Sequence, residues 1–252
     1  MSSSSPRPPG TRLGLALAVA LGVLTALLAP AAPSSAGVVD PLVGAPAQGE
    51  CYDVTYAQAG GSSLDEDPVP CTQRHTVWVT DVVVLEGSDP IDPDSPALQA
   101  RLTAACYDAR DAAIGADLTR YGRSVYQMVF FTPTQAQRDA GARWASCGLV
   151  LLQAGGLVTT TRATPARLSS DRVPAALALC VDKRFRATPC AQRHIARSKV
   201  GIPLKGADVD LDRAPKIAER KCPRKVGRAY AGWYLRGTDP GRGLLNCMVR
   251  DR

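Results

Sequence analysis

Cys71-Thr72-Gln73-Arg74-His75 recurs along the chain as Cys190-Ala191-Gln192-Arg193-His194. These two stretches hold both of the protein's histidines. Each histidine follows an Arg, with Gln two residues back and Cys four back. The flanks keep the same order. Cys51 precedes the first stretch and Cys180 the second. Cys106 and Cys222 come next, and Cys147 and Cys247 close the strand-like runs Val125–Phe131 and Tyr230–Leu235. The order Cys, Cys-x-Gln-Arg-His, Cys, Cys is thus written twice. It predicts two tandem modules, at residues 49–154 and 178–252, the second with shorter loops.

Local patterns fill in the module. Val77 to Leu85 is a dense β-branched run and reads as a buried strand. Ser95 is placed to cap a helix that has Pro96 in its first turn. Leu98, Leu102, Ala105 and Cys106 then share one helical face, so Cys106 points inward. Val125 to Phe131 and Gly148 to Leu152 read as strands, joined through a turn or short helix at 133–141. The fold class is α+β, each module having a few antiparallel strands and one packed helix.

Aromatic residues are 5% of the composition, so the core rests on Val, Leu and Ala. A small module with a thin core gains most from covalent staples. The N-terminus indicates the compartment in which they would form. Arg7 and Arg12 precede an uncharged apolar run, Leu13 to Leu28, and Ser34-Ser35-Ala36 offers small residues at a cleavage site. Residues 1–36 read as a signal peptide, with an uncleaved membrane anchor as the alternative. Either places the rest of the chain outside the cytoplasm, secreted or attached to the envelope. There the 8 cysteines are expected to form disulfides. Bonds confined to each copy, with the same choice in both, leave three patterns. Closure of a polar loop and tethering of the helix to an edge strand favour Cys51–Cys71, Cys106–Cys147, Cys180–Cys190 and Cys222–Cys247. Residues 37–48 read as an exposed lead-in. Residues 155–177, rich in Gly, Thr, Ser and Arg, read as a linker.

Gly49-Glu50-Cys51, Val69-Pro70-Cys71 with His75 close behind, and Gly141-Ala142-Arg143-Trp144-Ala145-Ser146-Cys147 resemble the septum formation domain of actinobacterial envelope proteins. That family has Gly-Asp-Cys, Val-x-Cys and a closing Gly-Asp-Arg-x-x-x-Cys. Here Glu and Ala stand in place of the two Asp. The second copy departs further: no Gly-Asp precedes Cys180, and four residues separate Arg242 from Cys247. The resemblance implies a role in cell division or envelope organisation, and it brings no catalytic residue with it.

Charge separates the copies. Residues 37–156 carry 7 Arg, no Lys and 15 acids, for −8, whereas residues 157–252 carry 21 Lys or Arg and 8 acids, for +13. Two uses follow. The copies can dock through complementary potential. Alternatively, the basic copy can bind an external polyanion: lipid headgroups, a phosphate-bearing wall polymer or an acidic protein. Lys221, Arg224, Lys225 and Arg228 form the densest cluster, and a solubilising face is the plain alternative. Nucleic acid is set aside, because an exported chain rarely meets it and stacking aromatics are few.

No reaction is declared. Cys-x3-His suits half a metal site or a nucleophile–base pair, but disulfides would consume the thiolates. Neither Ser-x-x-Lys nor Gly-x-Ser-x-Gly occurs. Asp65-Glu66-Asp67 is a bare acidic cluster, and Asp208-x-Asp210-x-Asp212 lacks the Gly of a calcium loop. No metal or cofactor is expected. His75 and His194 are most simply structural, bonding backbone to fix a turn. The sharper idea gives Arg74, His75, Arg193 and His194 a shared ligand contact. The expected function is a non-enzymatic binding or scaffold protein of the envelope, with an envelope enzyme or its regulator, using the Arg–His pairs, as the alternative.

Overall fold

Strand β1 (Cys51–Tyr52) lies against β2 (Val77–Val84), whose run of β-branched residues occupies a mostly buried, pleated surface. In a computed structural model of the protein, the described residues are 40–251 apart from 88, 93–94, 116, 169–171, 207–208 and 240. The expected signal peptide, its alternative as an anchor and Asp208 lie outside them. After the short helix α1 (Tyr56–Ala59) and β2 comes α2 (Pro96–Ile114), which buries Leu98, Leu102, Cys106, Arg110 and Ile114. That four-residue spacing makes one stripe along the helix. Pro96 sits in the first turn, and Gly115 ends the helix in a left-handed conformation (φ 62°). Ser95 holds the N-cap position but makes no side-chain cap bond, which corrects the expected cap.

Helix α3 (Leu118–Gly122), β3 (Tyr126–Phe131), α4 (Gln135–Asp139) and β4 (Trp144–Gln153) complete the first sheet. Its order is β1-β2-β4-β3, all antiparallel, with β5 (Gly156–Leu157) added on β4. The second sheet is made of β6 (Leu179–Val181), β7 (Ala187–Pro189), β8 (Ala196–Lys205), β9 (Tyr230–Asp239) and β10 (Arg242–Arg250). Helix α5 (Ala214–Val226) lies between β8 and β9 in the chain and buries Ala214, Ile217, Ala218 and Cys222. Strand β7 lies outside β6, and the order of the other four, β6-β8-β10-β9, matches β1-β2-β4-β3 of the first sheet. Even an irregularity is shared. Thr80 is the extra residue between the pairs Val79↔Gly148 and Asp81↔Cys147, and Lys199 is the extra residue between Ser198↔Met248 and Val200↔Cys247.

Four disulfides join Cys51 to Cys71, Cys106 to Cys147, Cys180 to Cys190 and Cys222 to Cys247, leaving no free cysteine. The α+β, disulfide-stapled reading of the sequence therefore holds. Cys147 and Cys247 differ in one respect from expectation. Both lie in interior strands, β4 and β10, so their bridges fasten each helix over the middle of its sheet rather than at an edge.

The stretch 155–177 is not a free spacer. His75 and Thr160 exchange main-chain hydrogen bonds, the Trp78 indole donates to the Arg162 carbonyl at 2.9 Å, and Leu168 is buried. The lead-in is also partly packed: Trp144 Nε1 donates to the Val43 carbonyl at 3.0 Å, and the Arg143 N–H donates to Pro41. Residues 38–252 thus form one compact unit. Main-chain bonds cross between the halves, from Val125 N–H to Leu177 and from Leu179 N–H to Arg123. Buried Arg236 donates to the carbonyls of Ser124 and Tyr126, and buried Asn246 donates to that of Gly122. A Cβ on Gly122 would come within 2.6 Å of Leu244, so a glycine is what permits this approach.

Candidate functional site

Because the two sheets share register, their residues can be compared position by position. Trp78 pairs with Cys51 on one side and Leu149 on the other, while Arg197 pairs with Cys180 and Val249. Four residues past the interior-strand cysteines stand Leu151 and Asp251. A tryptophan and a leucine in the first half are therefore an arginine and an aspartate in the second.

What lies above these positions differs as well. In the first half, α2 runs on from Cys106 to Ile114, and residues 157–168 fold over it. The Leu168 N–H donates to the Ile114 carbonyl, and the Tyr126 hydroxyl donates to that of Ala166. Trp78, Leu149, Leu151, Ile114 and Leu168 join one closed apolar cluster. In the second half, α5 has 13 residues against the 19 of α2 and stops at Val226, a single turn past Cys222. The area over Arg197 and Asp251 is left as two adjoining clefts of about 510 and 480 Å³. Both are lined by Arg197, Lys199 and Asp251. The first adds Arg123, at the end of α3, and Arg172, with Val173, Ala175 and Ala178 as apolar wall. The second adds Lys225 and Arg250, with Val226, Ala229 and Val249. Together they form a basic groove in which, among the described residues, six cations and one carboxylate line the walls.

That carboxylate is held between two cationic groups. Asp251 accepts from His194 Nε2 at 2.5 Å and pairs with Arg197 Nε at 3.1 Å. His194 Nδ1 lies 2.7 Å from the Gln192 carbonyl. A carbonyl and a carboxylate both accept, so this geometry favours the doubly protonated ring. Burial works against the charge, but the Gln192 carbonyl and the Asp251 carboxylate outweigh it and raise the His194 pKa above its ordinary value.

The recurring Arg-His motif is split by this environment. His75 is fully buried, its Nδ1–H donates to the Gln73 carbonyl at 2.8 Å, and its ring meets Trp78 edge-on at 5.1 Å. Its Nε2 is buried without a hydrogen-bond partner. Arg74 turns instead to solvent, where it meets Asp53 at 3.3 Å, and Arg193 is exposed. Arg74 and His75 therefore have separate partners. Of the helix cluster, Lys221, Arg224 and Arg228 are exposed away from the clefts, and Lys225 alone lines one. Arg123, Arg172, Arg197, Lys199, Arg250 and Asp251 had no motif to mark them. The readable signal was the ungapped register between Cys71–Thr80 and Cys190–Lys199, which sets Arg197 where Trp78 stands.

The acidic half carries a contrasting cleft of about 330 Å³ beside Glu50, Asp65, Glu66 and Asp67. There the Tyr52 hydroxyl donates to Glu50 at 2.7 Å, and burial together with that carboxylate pushes the Tyr52 pKa up.

A family model described as Septum formation matches residues 93–238. The match begins just ahead of α2 and ends in β9, so it runs across both halves and takes in Cys106, Cys147, Cys180, Cys190 and Cys222. The Gly49-to-His75 stretch, on which the resemblance partly rested, lies outside it. No curated protein and no solved structure matches the chain.

Proposed function

The chain belongs to the septum formation family, and we propose that it is a non-enzymatic binding protein of the cell envelope, built from two tandem copies of one module, whose basic second copy holds an anionic envelope component. Four disulfides and no free thiol suit an oxidising, extracytoplasmic compartment. The family's description ties the chain to septum formation, an event at the envelope. The observation that carries the reading is the basic groove, where, among the described lining residues, six cations outnumber a single carboxylate. Such an excess, set in a concave surface, focuses potential on an anionic ligand. The Arg-His pairs lend no support to an enzyme, since His75 is buried away from Arg74.

The test is co-sedimentation of the intact protein with cell-wall material and with membranes of its source organism as salt is raised from roughly 50 to 500 mM. Binding at low salt that declines steadily with added salt is expected. No binding to either fraction at low salt would overturn the reading.

A further inference from the structure

We infer that the two clefts are one continuous site for a single extended polymer whose phosphate groups are separated by carbon-bearing units. This rests on the proposed envelope-binding reading and narrows it to one ligand class and one surface. Three observations carry it. First, the clefts share Arg197, Lys199 and Asp251, so they form a track and not two separate pockets. A ligand that satisfies the track needs several negative charges along its length. Second, each cleft pairs its cations with apolar wall: Val173 and Ala178 in the first, Val226 and Val249 in the second. That mixed lining suits phosphates spaced by polyol or sugar units better than an unbroken run of charge. Third, the surface is concave, whereas a bilayer presents a plane.

The chain's own carboxylate already shows that the junction accepts an anion. Asp251 is gripped by Arg197 at 3.1 Å and by His194 at 2.5 Å. Arginine guanidinium groups bind phosphate oxygens as they bind carboxylate oxygens. Asp251 therefore competes with the polymer for these cations. Arg123 enters from the first half, with its Nη2 reaching the Ser198 carbonyl at 3.5 Å. The site is accordingly complete only when both halves are present.

The experiment uses the intact protein and a fluorescently labelled poly(glycerol phosphate), with affinity read by anisotropy across a salt series. Arg197→Ala with Lys199→Ala is expected to weaken binding about tenfold or more and to lower the log–log salt slope by about two. Lys183→Ala with Arg184→Ala, which removes two exposed cations from the β6–β7 turn, is expected to change affinity less than about twofold on the same scale. Asp251→Asn is expected to tighten binding. Thermal melts matching the parent protein keep folding out of the comparison. Equal losses in the two double variants would overturn the inference, since net charge alone would then account for binding. So would equally tight binding of polyglutamate, or of phosphatidylglycerol vesicles with the same response to the variants. In each of those cases salt-dependent co-sedimentation with the envelope would still stand, so the broader reading fails separately.

Discussion

Trp78 and Arg197 occupy the same position in two sheets that share a four-strand order, and one is 3% exposed while the other's side chain is 53% exposed. Below them the halves are alike: a cysteine in an interior strand tethered to a helix, and the same one-residue bulge. Above them the halves part. A longer helix and the segment 157–168 close the first over an apolar layer. The second, with a shorter helix, stays open and charged. A shared framework can therefore hold a core position on one side and an open, charged position on the other. The change of residue type follows the change of cover.

The largest effect should come from breaking the closed side. Trp78→Ala removes a buried indole and its bond to Arg162, and is expected to destabilise by about 3–5 kcal/mol in chemical denaturation. Arg197→Ala at the matching position is expected to stay within about 0.5 kcal/mol, because the pair it leaves is solvent-exposed. Comparable costs at the two positions would contradict the division.

The bridges should rank by the loops they close. Chain-entropy arguments give roughly 4 kcal/mol for Cys106–Cys147, separated by 41 residues, and roughly 2.7 for Cys180–Cys190, separated by 10. Paired Cys→Ala variants measured by urea denaturation check this order. A smaller loss for Cys106–Cys147 would show that α2 is held mainly by packing. Next in size is the junction between halves. Arg236→Ala leaves the buried carbonyls of Ser124 and Tyr126 short of a donor and is expected to cost about 2–3 kcal/mol. It should also make the two halves unfold less cooperatively in calorimetry.

How far the sequence reveals all this depends on distance along the chain. The fold class was legible because its signals are local or covalent: the β-branched run at Val77, the helical stripe from Leu98 to Cys106, and a cysteine order repeated without a gap in plan. The cover over Trp78 was not. Residues 155–177 have the composition of a spacer, and only tertiary contacts with His75, Trp78 and Ile114 turn them into a roof. The groove was illegible for a related reason. Its cations come from α3, the segment at 172, β8, α5 and the end of β10, and no one stretch contains a motif. The basic cluster Lys221–Arg228 stood out in the sequence because it is contiguous, yet it contributes only Lys225 to the clefts.

The smallest expected effect concerns pH. The folded His194 pKa is raised, so its charged contact with Asp251 stabilises fully below the unfolded value and is lost as pH rises through the folded one. Stability of the parent protein relative to His194→Gln is therefore expected to fall across that window. A flat difference would mean that the ring contributes packing and not charge.

The proposed anionic polymer would enter the second half at the face that, in the first, is closed over Trp78. The two histidines are the only ones in the chain and report on the two sides separately. The direct measurement is an NMR titration of the intact protein, following both imidazole signals as poly(glycerol phosphate) is added. A saturable shift of the His194 signal is expected, as polymer phosphate competes with Asp251, together with a His75 signal that stays in place. A His194 signal unmoved while polymer binds, or equal movement of both, would contradict the proposal.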